Sequence, residues 1–268
     1  MESRARYPIG ISGEPFEQIR ALPEGARKKT APRKVDWHEV FCAVLDLLRT
    51  GCQWRALPSD FPKWRTVHAY FQIWSEVDER AVSLLERALK KSGWRGPRET
   101  GRTACSRFLI LDAQSVKNTD AAGRKGDDAG KKVSGIKRHI AADTQGLPHA
   151  IAVTTAEATD RKGALPALQG SKRRLKRVED LLCDGGHVRA PFARAVREMF
   201  GRKVEVQIAK RNELHAFKVM PKRWIVERSF AWPEKNRRLW KNCERKRNAS
   251  LQFVHLAFPA VLLKRRPE

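Results

Sequence analysis

Apolar residues recur through residues 35–48 at positions 37, 40, 41, 44, 45, 47 and 48. That spacing lies close to one face of a helix with 3.6 residues per turn. Asp36 stands at the N-cap position with Glu39 three residues later, as in a capping box, and Thr50-Gly51 closes the helix. A turn-rich connector with Pro58 and Pro62 follows, and residues 66–74 and 81–89 read as two more helices. Short helices joined by a tight connector suit either a helix-turn-helix module, with one helix in the major groove of DNA, or an ordinary packed helical subdomain.

After the linker-like run Ser92-Gly93-Trp94-Arg95-Gly96-Pro97-Arg98 the pattern changes. Residues 108–111 read as a short apolar strand ending at Asp112. Residues 138–142 and 149–155 predict two more strands, separated by the hairpin-like turn Asp143-Thr144-Gln145-Gly146. A helix over 160–168, a strand over 180–183, a helix over 188–200 and a strand over 204–208 continue the series. Residues 223–232 predict a helix that ends or kinks before Pro233, and 248–264 a last helix kinked at Pro259. Early strands with a hairpin, then alternating strand and helix, indicate an α/β fold with a mixed sheet.

Charge then narrows the function. The 268 residues hold 55 Lys plus Arg and 30 Asp plus Glu, a formal net charge of +25. Such a surface favours a polyanion, nucleic acid first and an anionic membrane surface second. Residues 1–100 carry 18 basic and 13 acidic residues (+5), and residues 101–268 carry 37 and 17 (+20). No run of about 18 apolar residues exists to span a bilayer. The closest stretch, 251–263, contains Gln252, His255 and Pro259. The first residues have no apolar core and do not read as a secretory signal, so a cytoplasmic protein is expected. The five cysteines are scattered with no C-x-x-C pair, which argues against a disulfide framework or zinc ribbon. Neither a phosphate-binding G-x-x-x-x-G-K-[ST] loop nor an H-E-x-x-H zinc motif is present.

Three carboxylates stand out against this basic background. Asp112 and Asp184 each follow an apolar strand segment, where α/β sheets place their chemistry, and Glu227 lies on a helix between Arg223 and Arg228. Any one of them alone reads first as a neutralising ion pair. As a set, two strand-end aspartates and a helical glutamate can hold two Mg²⁺ ions for phosphodiester cleavage. Trp54, Trp64, Trp74, Trp224 and Trp232 read as core residues. His139, directly after Lys137-Arg138, suggests a place near DNA, with a solvated or hydrogen-bonded histidine as the alternative.

Ordered blocks along the chain carry a family resemblance. They are Leu48-Arg49-Thr50-Gly51-Cys52-Gln53-Trp54-Arg55-Ala56-Leu57-Pro58, then Thr66-Val67-His68 and Phe71-x-x-Trp74. Leu111-Asp112-Ala113-Gln114-Ser115-Val116-Lys117, Gly130-Lys131-Lys132 and Lys137-Arg138-His139 follow. Asp143-Thr144 with Gly146, Asp160-Arg161 with Gly163 and Cys183-Asp184-Gly185-Gly186 come next. The last are Arg223-Trp224-x-Val226-Glu227-Arg228-x-Phe230-Ala231-Trp232 and Arg237-Arg238-Leu239. From about residue 35 to 265 the chain resembles bacterial insertion-sequence transposases of the DDE type, in the group called insertion-sequence family five.

The resemblance implies an N-terminal extension (1–34), a small all-α helix-turn-helix-like DNA-binding domain (35–98) and an RNase H-like DDE catalytic domain (99–268), a mixed sheet with flanking helices. It implies that Asp112, Asp184 and Glu227 are the catalytic, metal-binding triad for two Mg²⁺ ions, with Mn²⁺ as a substitute. It implies water attack on a phosphodiester at a terminal inverted repeat, then attack of the freed 3′-hydroxyl on target DNA. Lys131, Lys132, Lys137, Arg138, Arg223 and Arg228 are expected to contact phosphates near the cut. The partners implied are double-stranded DNA and a second copy of the chain, as a dimer or larger assembly. A DNA-binding regulator that has lost catalysis and a stand-alone nuclease of the same fold remain alternatives. The chain departs from its relatives at His187, where an aromatic is usual after the glycine run, at Met220 and Glu234, in the places of a signature Tyr and Lys, and at the helix-interrupting Pro233 and Pro259.

Overall fold

The computed structural model describes residues 11, 13–24, 35–79, 81–93, 106–183, 190–201, 203–208 and 223–264. The chain divides into two compact units. The first comprises Met1–Glu99, Trp232–Lys241 and Asn248–Glu268, and the second Thr100–Ala231 and Asn242–Arg247. The boundary expected near residue 98 takes no account of this return of the chain to the first unit.

The first unit is helical. It holds α1 (Gly13–Glu24), α2 (Trp37–Thr50), a 3₁₀ turn (Trp54–Ala56), α3 (Trp64–Ser75) and α4 (Leu84–Gly93). Helix α1 lies within the stretch expected to be a mere extension. It forms because Phe16 and Ile19, three apart, face one side and are buried, with the Phe16 ring 5.5 Å from that of Phe41. Helix α2 begins and ends where its sequence says. The Asp36 carboxylate accepts from the His38 N–H at 2.9 Å, and Gly51 at φ +71° donates its N–H to the Leu47 carbonyl.

The C-terminal helix closes this unit. Its residues 252–259 are all buried, so the most apolar stretch of the chain is a core helix. Gln252 accepts from the Ser83 hydroxyl at 2.6 Å, and the Phe253 and Phe71 rings stack at 4.5 Å. Arg238, in a 3₁₀ turn (Arg237–Leu239), lies with its guanidinium 5.4 Å from the Trp54 ring and 4.5 Å from Phe253. It also donates to the Cys52 carbonyl at 2.9 Å. A planar cation that is stacked and hydrogen-bonded in this way does not exchange freely for lysine.

The second unit is a mixed sheet with helices. In chain order it has β1 (Phe108–Lys117), β2 (Gly126–Asp128), β3 (Val133–Ala142), β4 (Pro148–Thr155), α5 (Asp160–Gly170), β5 (Asp180–Cys183), α6 (Ala190–Phe200) and β6 (Glu205–Ile208). Helix α7 (Arg223–Glu234) begins in this unit, and the unit boundary falls within it after Ala231; α8 (Arg247–Leu262) is the C-terminal helix of the first unit. The strands lie in the order β4-β3-β1-β5-β6, with the short β2 on the start of β3. Pairing is antiparallel across β4-β3-β1 and parallel across β1-β5-β6. This is the RNase H-like arrangement.

Alternate residues of β1 divide between the two faces. Leu109 and Leu111 join Ala141, Ala164, Leu168 and Phe192 in the main core. Asp112 therefore points to the other face.

Strands β1 and β3 run further than the apolar pattern indicates. Asp112, Gln114 and Ser115 break the pattern of β1, and Ser134, Lys137 and Arg138 that of β3, yet backbone pairing continues from Ile110↔Ala142 to Lys117↔Gly135. Helix α5 covers β3 so closely that a Cβ added at Gly163 would lie 1.9 Å from His139 Nε2. His139 is fully buried and hydrogen-bonded with the Thr154 hydroxyl at 2.9 Å. The stretch Lys137-Arg138-His139 is thus buried, and His139 takes the hydrogen-bonded alternative. Gly163→Ala is expected to destabilise the protein by about 1–3 kcal/mol, the usual cost of overpacking. Urea denaturation should show that loss, and His139→Ala in the same chain should recover part of it. A Gly163→Ala protein as stable as the parent would mean that α5 does not ride on the imidazole.

The two interrupting prolines are accommodated without ending their helices at once. Pro233 falls in the last turn of α7, which runs two residues past the expected end, and Pro259 lies inside α8. Near a C-terminus a missing N–H strands only one carbonyl.

Candidate active site

Asp112 lies on β1 opposite Ile140 of β3, and its Oδ1 accepts from the N–H of Ala113 at 2.7 Å. On its other side β1 pairs with β5, with Leu111 opposite Cys183. Asp184 follows Cys183 in the chain and lies outside the described residues, as does His187.

Glu227 is exposed on α7. Next to it, Arg228 donates to the Gln145 carbonyl at 2.7 Å and the Ser229 hydroxyl to the Gly146 carbonyl at 2.8 Å. The turn that receives α7 is itself rigid. Asp143 accepts from the N–H groups of Gln145 and Leu147 and binds His149 at 3.0 Å, while Gly146 takes φ +83°. The sequence blocks Asp143-Thr144-x-Gly146 and Glu227-Arg228 thus meet through backbone carbonyls.

A second cluster of charge lies on the opposite side of β1 from Asp112. The Lys137 ammonium, with its side chain only 6% exposed, is 3.0 Å from Asp128 Oδ2 and 3.0 Å from Asp160 Oδ1. It also donates to the Ala158 carbonyl at 2.9 Å. Asp128 accepts from the Ser115 hydroxyl at 2.6 Å and the Lys131 N–H at 3.1 Å. Burial works to raise the Asp128 carboxyl, but the Ser115 and Lys137 hydrogen bonds outweigh it and hold the group down at about 2. The opposing acids likewise outweigh burial and raise Lys137.

A depressed carboxyl stabilises the fold above its unfolded value of 3.8, and this contribution disappears as pH falls through about 2. The stability gap between the parent and Asp128→Asn is therefore expected to be wide at neutral pH and to narrow on acidification across that window. Denaturation midpoints measured along the pH series would show it. A constant gap would mean that Asp128 is not ionised in the network.

A family model described as "Transposase DDE domain" matches residues 103–263. The chain belongs to this DDE transposase family. A second model, "Putative transposase of IS4/5 family", matches residues 11–81. The chain is 29% identical over 187 residues to the "Putative transposase for insertion sequence element IS402" of Burkholderia cepacia, across 67% of this chain and 85% of that one. Among solved structures, the Mos1 mariner paired-end complex with Mn aligns over 94% of this chain and 83% of its own, at 11% identity and a TM-score of 0.31. The Mos1 paired-end complex with the left transposon end aligns over 68% and 60%, at 15% identity and a TM-score of 0.23. Likeness that slight has no bearing on residue roles.

For this transposase the expected phosphate contacts separate into two groups. Lys137 and Arg138 are buried, Arg138 to 2% exposure, and do not reach DNA from there. They are successive residues of β3 and point to opposite faces of the sheet; Lys137 is held under the start of α5 by the Ala158 carbonyl and Asp160. Lys131 and Lys132 are exposed in the turn between β2 and β3, and Lys131 Nζ donates to the Ala113 carbonyl at 3.0 Å. Arg223 is the first residue of α7; its side chain lies outside what is described, as does Met220.

Trp224, expected in the core, is 53% exposed, with the Arg228 guanidinium 4.9 Å from its ring. Residues three and four apart on a helix share a face, so Trp224 turns outward with Glu227 and Arg228 while Ile225 and Val226 turn in. Trp37, Trp74 and Trp232 are buried. The four described cysteines are free thiols, and no helix among the described residues is long and apolar enough to cross a membrane. Asp128, Ser115 and Asp160 were not singled out as site residues. Only the acid run Asp127-Asp128 before Gly130-Lys131-Lys132 hints at the first of them.

Proposed function

We propose that Asp112, Asp184 and Glu227 hold two divalent cations, Mg²⁺ or Mn²⁺ in its place. With them the transposase cuts at the terminal inverted repeats of an insertion sequence and joins the freed 3′-hydroxyl to target DNA. The observation that carries this reading is the parallel pairing of β1 with β5. It sets Leu111 and Cys183 opposite each other, and these are the residues just before the two aspartates. Three carboxylates offer hard oxygen donors, the set that suits Mg²⁺ together with water and phosphate oxygens. When bound, such ions polarise phosphoryl oxygens and make water a stronger nucleophile.

The chain's own part is to hold the DNA. Lys131, Lys132, Arg223 and Arg228 meet phosphates near the cut, and the helices of residues 35–98 read the inverted repeats. Two DNA ends must be joined in one complex, so the working form on DNA is a homodimer or larger.

Purified protein incubated with DNA bearing the element's ends, a target plasmid and Mg²⁺ tests the reading. Joined products are expected, and none after chelation of the metal. A protein that binds the ends but never cuts them would be the regulator that has lost catalysis. One that cuts without regard to the ends would be a nuclease of the same fold. Because phosphate contacts release counterions, affinity for the ends is expected to fall steeply between about 50 and 200 mM salt. A flat salt response in a gel-shift titration would refute phosphate-led binding.

A further inference from the structure

Ala113 connects two opposite charges. Its N–H donates to the Asp112 carboxylate at 2.7 Å, and its carbonyl accepts from Lys131 Nζ at 3.0 Å. Lys131 is exposed, yet its place beside β1 is fixed from behind. Its own N–H is held by Asp128 Oδ1, while Asp128 Oδ2 is held by Ser115 Oγ at 2.6 Å and Lys137 Nζ at 3.0 Å. The turn is also committed in its backbone, since Lys132 takes the left-handed φ of +53°. A long lysine on a free hairpin tip would lose side-chain entropy on binding an anion. Here the entropy of the turn is already spent in folding.

We propose that Asp128 and Ser115 are positioning residues. They tether the turn between β2 and β3 to β1 from the face opposite Asp112, so that the Lys131 ammonium is held at the Ala113 carbonyl, in the plane of the sheet and one residue along the chain from Asp112, and meets the scissile phosphate. This rests on Asp112 belonging to the catalytic site. Ser115 supplies its part without charge, so its removal leaves the Asp128–Lys137 pair in place. Lys137 stays buried throughout and acts only by fixing Asp128.

The test is a binding cycle that needs no cleavage. Each protein is titrated, without divalent metal, against end DNA carrying either a normal or a neutral methylphosphonate linkage at the scissile position. The parent is expected to bind the neutral linkage about 10-fold more weakly, the value of one charge-assisted hydrogen bond. Lys131→Ala should lose most of that discrimination, Ser115→Ala should lose part of it, and Lys131→Arg should keep it.

Ser115→Ala should change discrimination no further in the Lys131→Ala background. The thermal midpoint of Ser115→Ala controls for a general loss of structure. The proposal is overturned if Ser115→Ala discriminates as the parent does, or if it weakens binding to both DNAs equally. It is overturned too if its effect persists without Lys131. The metal-dependent cleavage assay on Asp112→Asn separates this from the larger reading. Full cleavage there would displace the active site itself, whereas its loss with an unchanged methylphosphonate cycle would remove only the tether.

Discussion

Asp112→Asn is expected to reduce strand cleavage by about 10³-fold or more while DNA binding and the thermal midpoint stay near those of the parent. The substitution keeps the shape and removes one anionic oxygen from the proposed metal site, and the electrostatic stabilisation that a metal gives a phosphoryl transition state is worth several kcal/mol. Fold is spared because the position is not part of the buried core. Asp112 points to the face opposite Leu109 and Leu111, and the hydrogen bond from the Ala113 N–H can be accepted by an amide oxygen. The measurement is single-turnover cleavage of labelled end DNA in Mg²⁺, beside a gel shift in its absence. The same result is expected for Asp184→Asn and Glu227→Gln. Retained cleavage in any one of the three would remove that residue from the triad.

Lys137→Ala is expected to act in the opposite way, on the fold before the chemistry. It leaves Asp128 and Asp160 inside the second unit without the ammonium that lies 3.0 Å from each. Removing one partner of a buried charge network costs about 3–5 kcal/mol, far more than the network adds over an apolar equivalent. A loss of this size is expected to lower the thermal midpoint by about 10 °C, since 1 kcal/mol shifts a domain of this size by about 2–4 °C. Changing all three together, Lys137→Met with Asp128→Leu and Asp160→Leu, should regain much of the stability and not the DNA geometry. Equal stability of Lys137→Ala and parent at neutral pH would show that the lysine is not the counter-charge.

These two residues show where the sequence was legible and where it was not. Asp112 stands out because a carboxylate directly after an apolar run is a local signal, although β1 continues to Lys117 and so holds Asp112 within the strand and not at its end. Lys137 could not. In a chain with 55 Lys and Arg a further basic pair reads as a DNA contact, and nothing in Lys137-Arg138 marks it as interior. Its partners lie nine residues before it, across a tight turn, and 23 residues after it, on another element. Polar residues likewise shortened the expected strands β1 and β3: Ser115 and Lys137 are held by Asp128 and Asp160, partners that local patterning does not reveal. Trp224 is the reverse case. Its apolar neighbours suggested burial, and only the rotation of α7 shows that it faces outward.

By itself the chain's sequence determined the kind of partner, through its charge. It also determined the helix caps of α2 and the alternation that makes a mixed sheet, and it set out three acids against the basic background as the proposed metal site. Those are properties of composition and of near neighbours, and they survive without knowledge of the fold. Only the tertiary structure decided which cations face solvent and which are locked inside. It alone showed that 252–259 is a core helix of the first unit, and that Gly163 is there to admit His139. Burial of a long or polar side chain depends on what distant segments bring to it, and here those segments are the turn before β3 and the helix after β4.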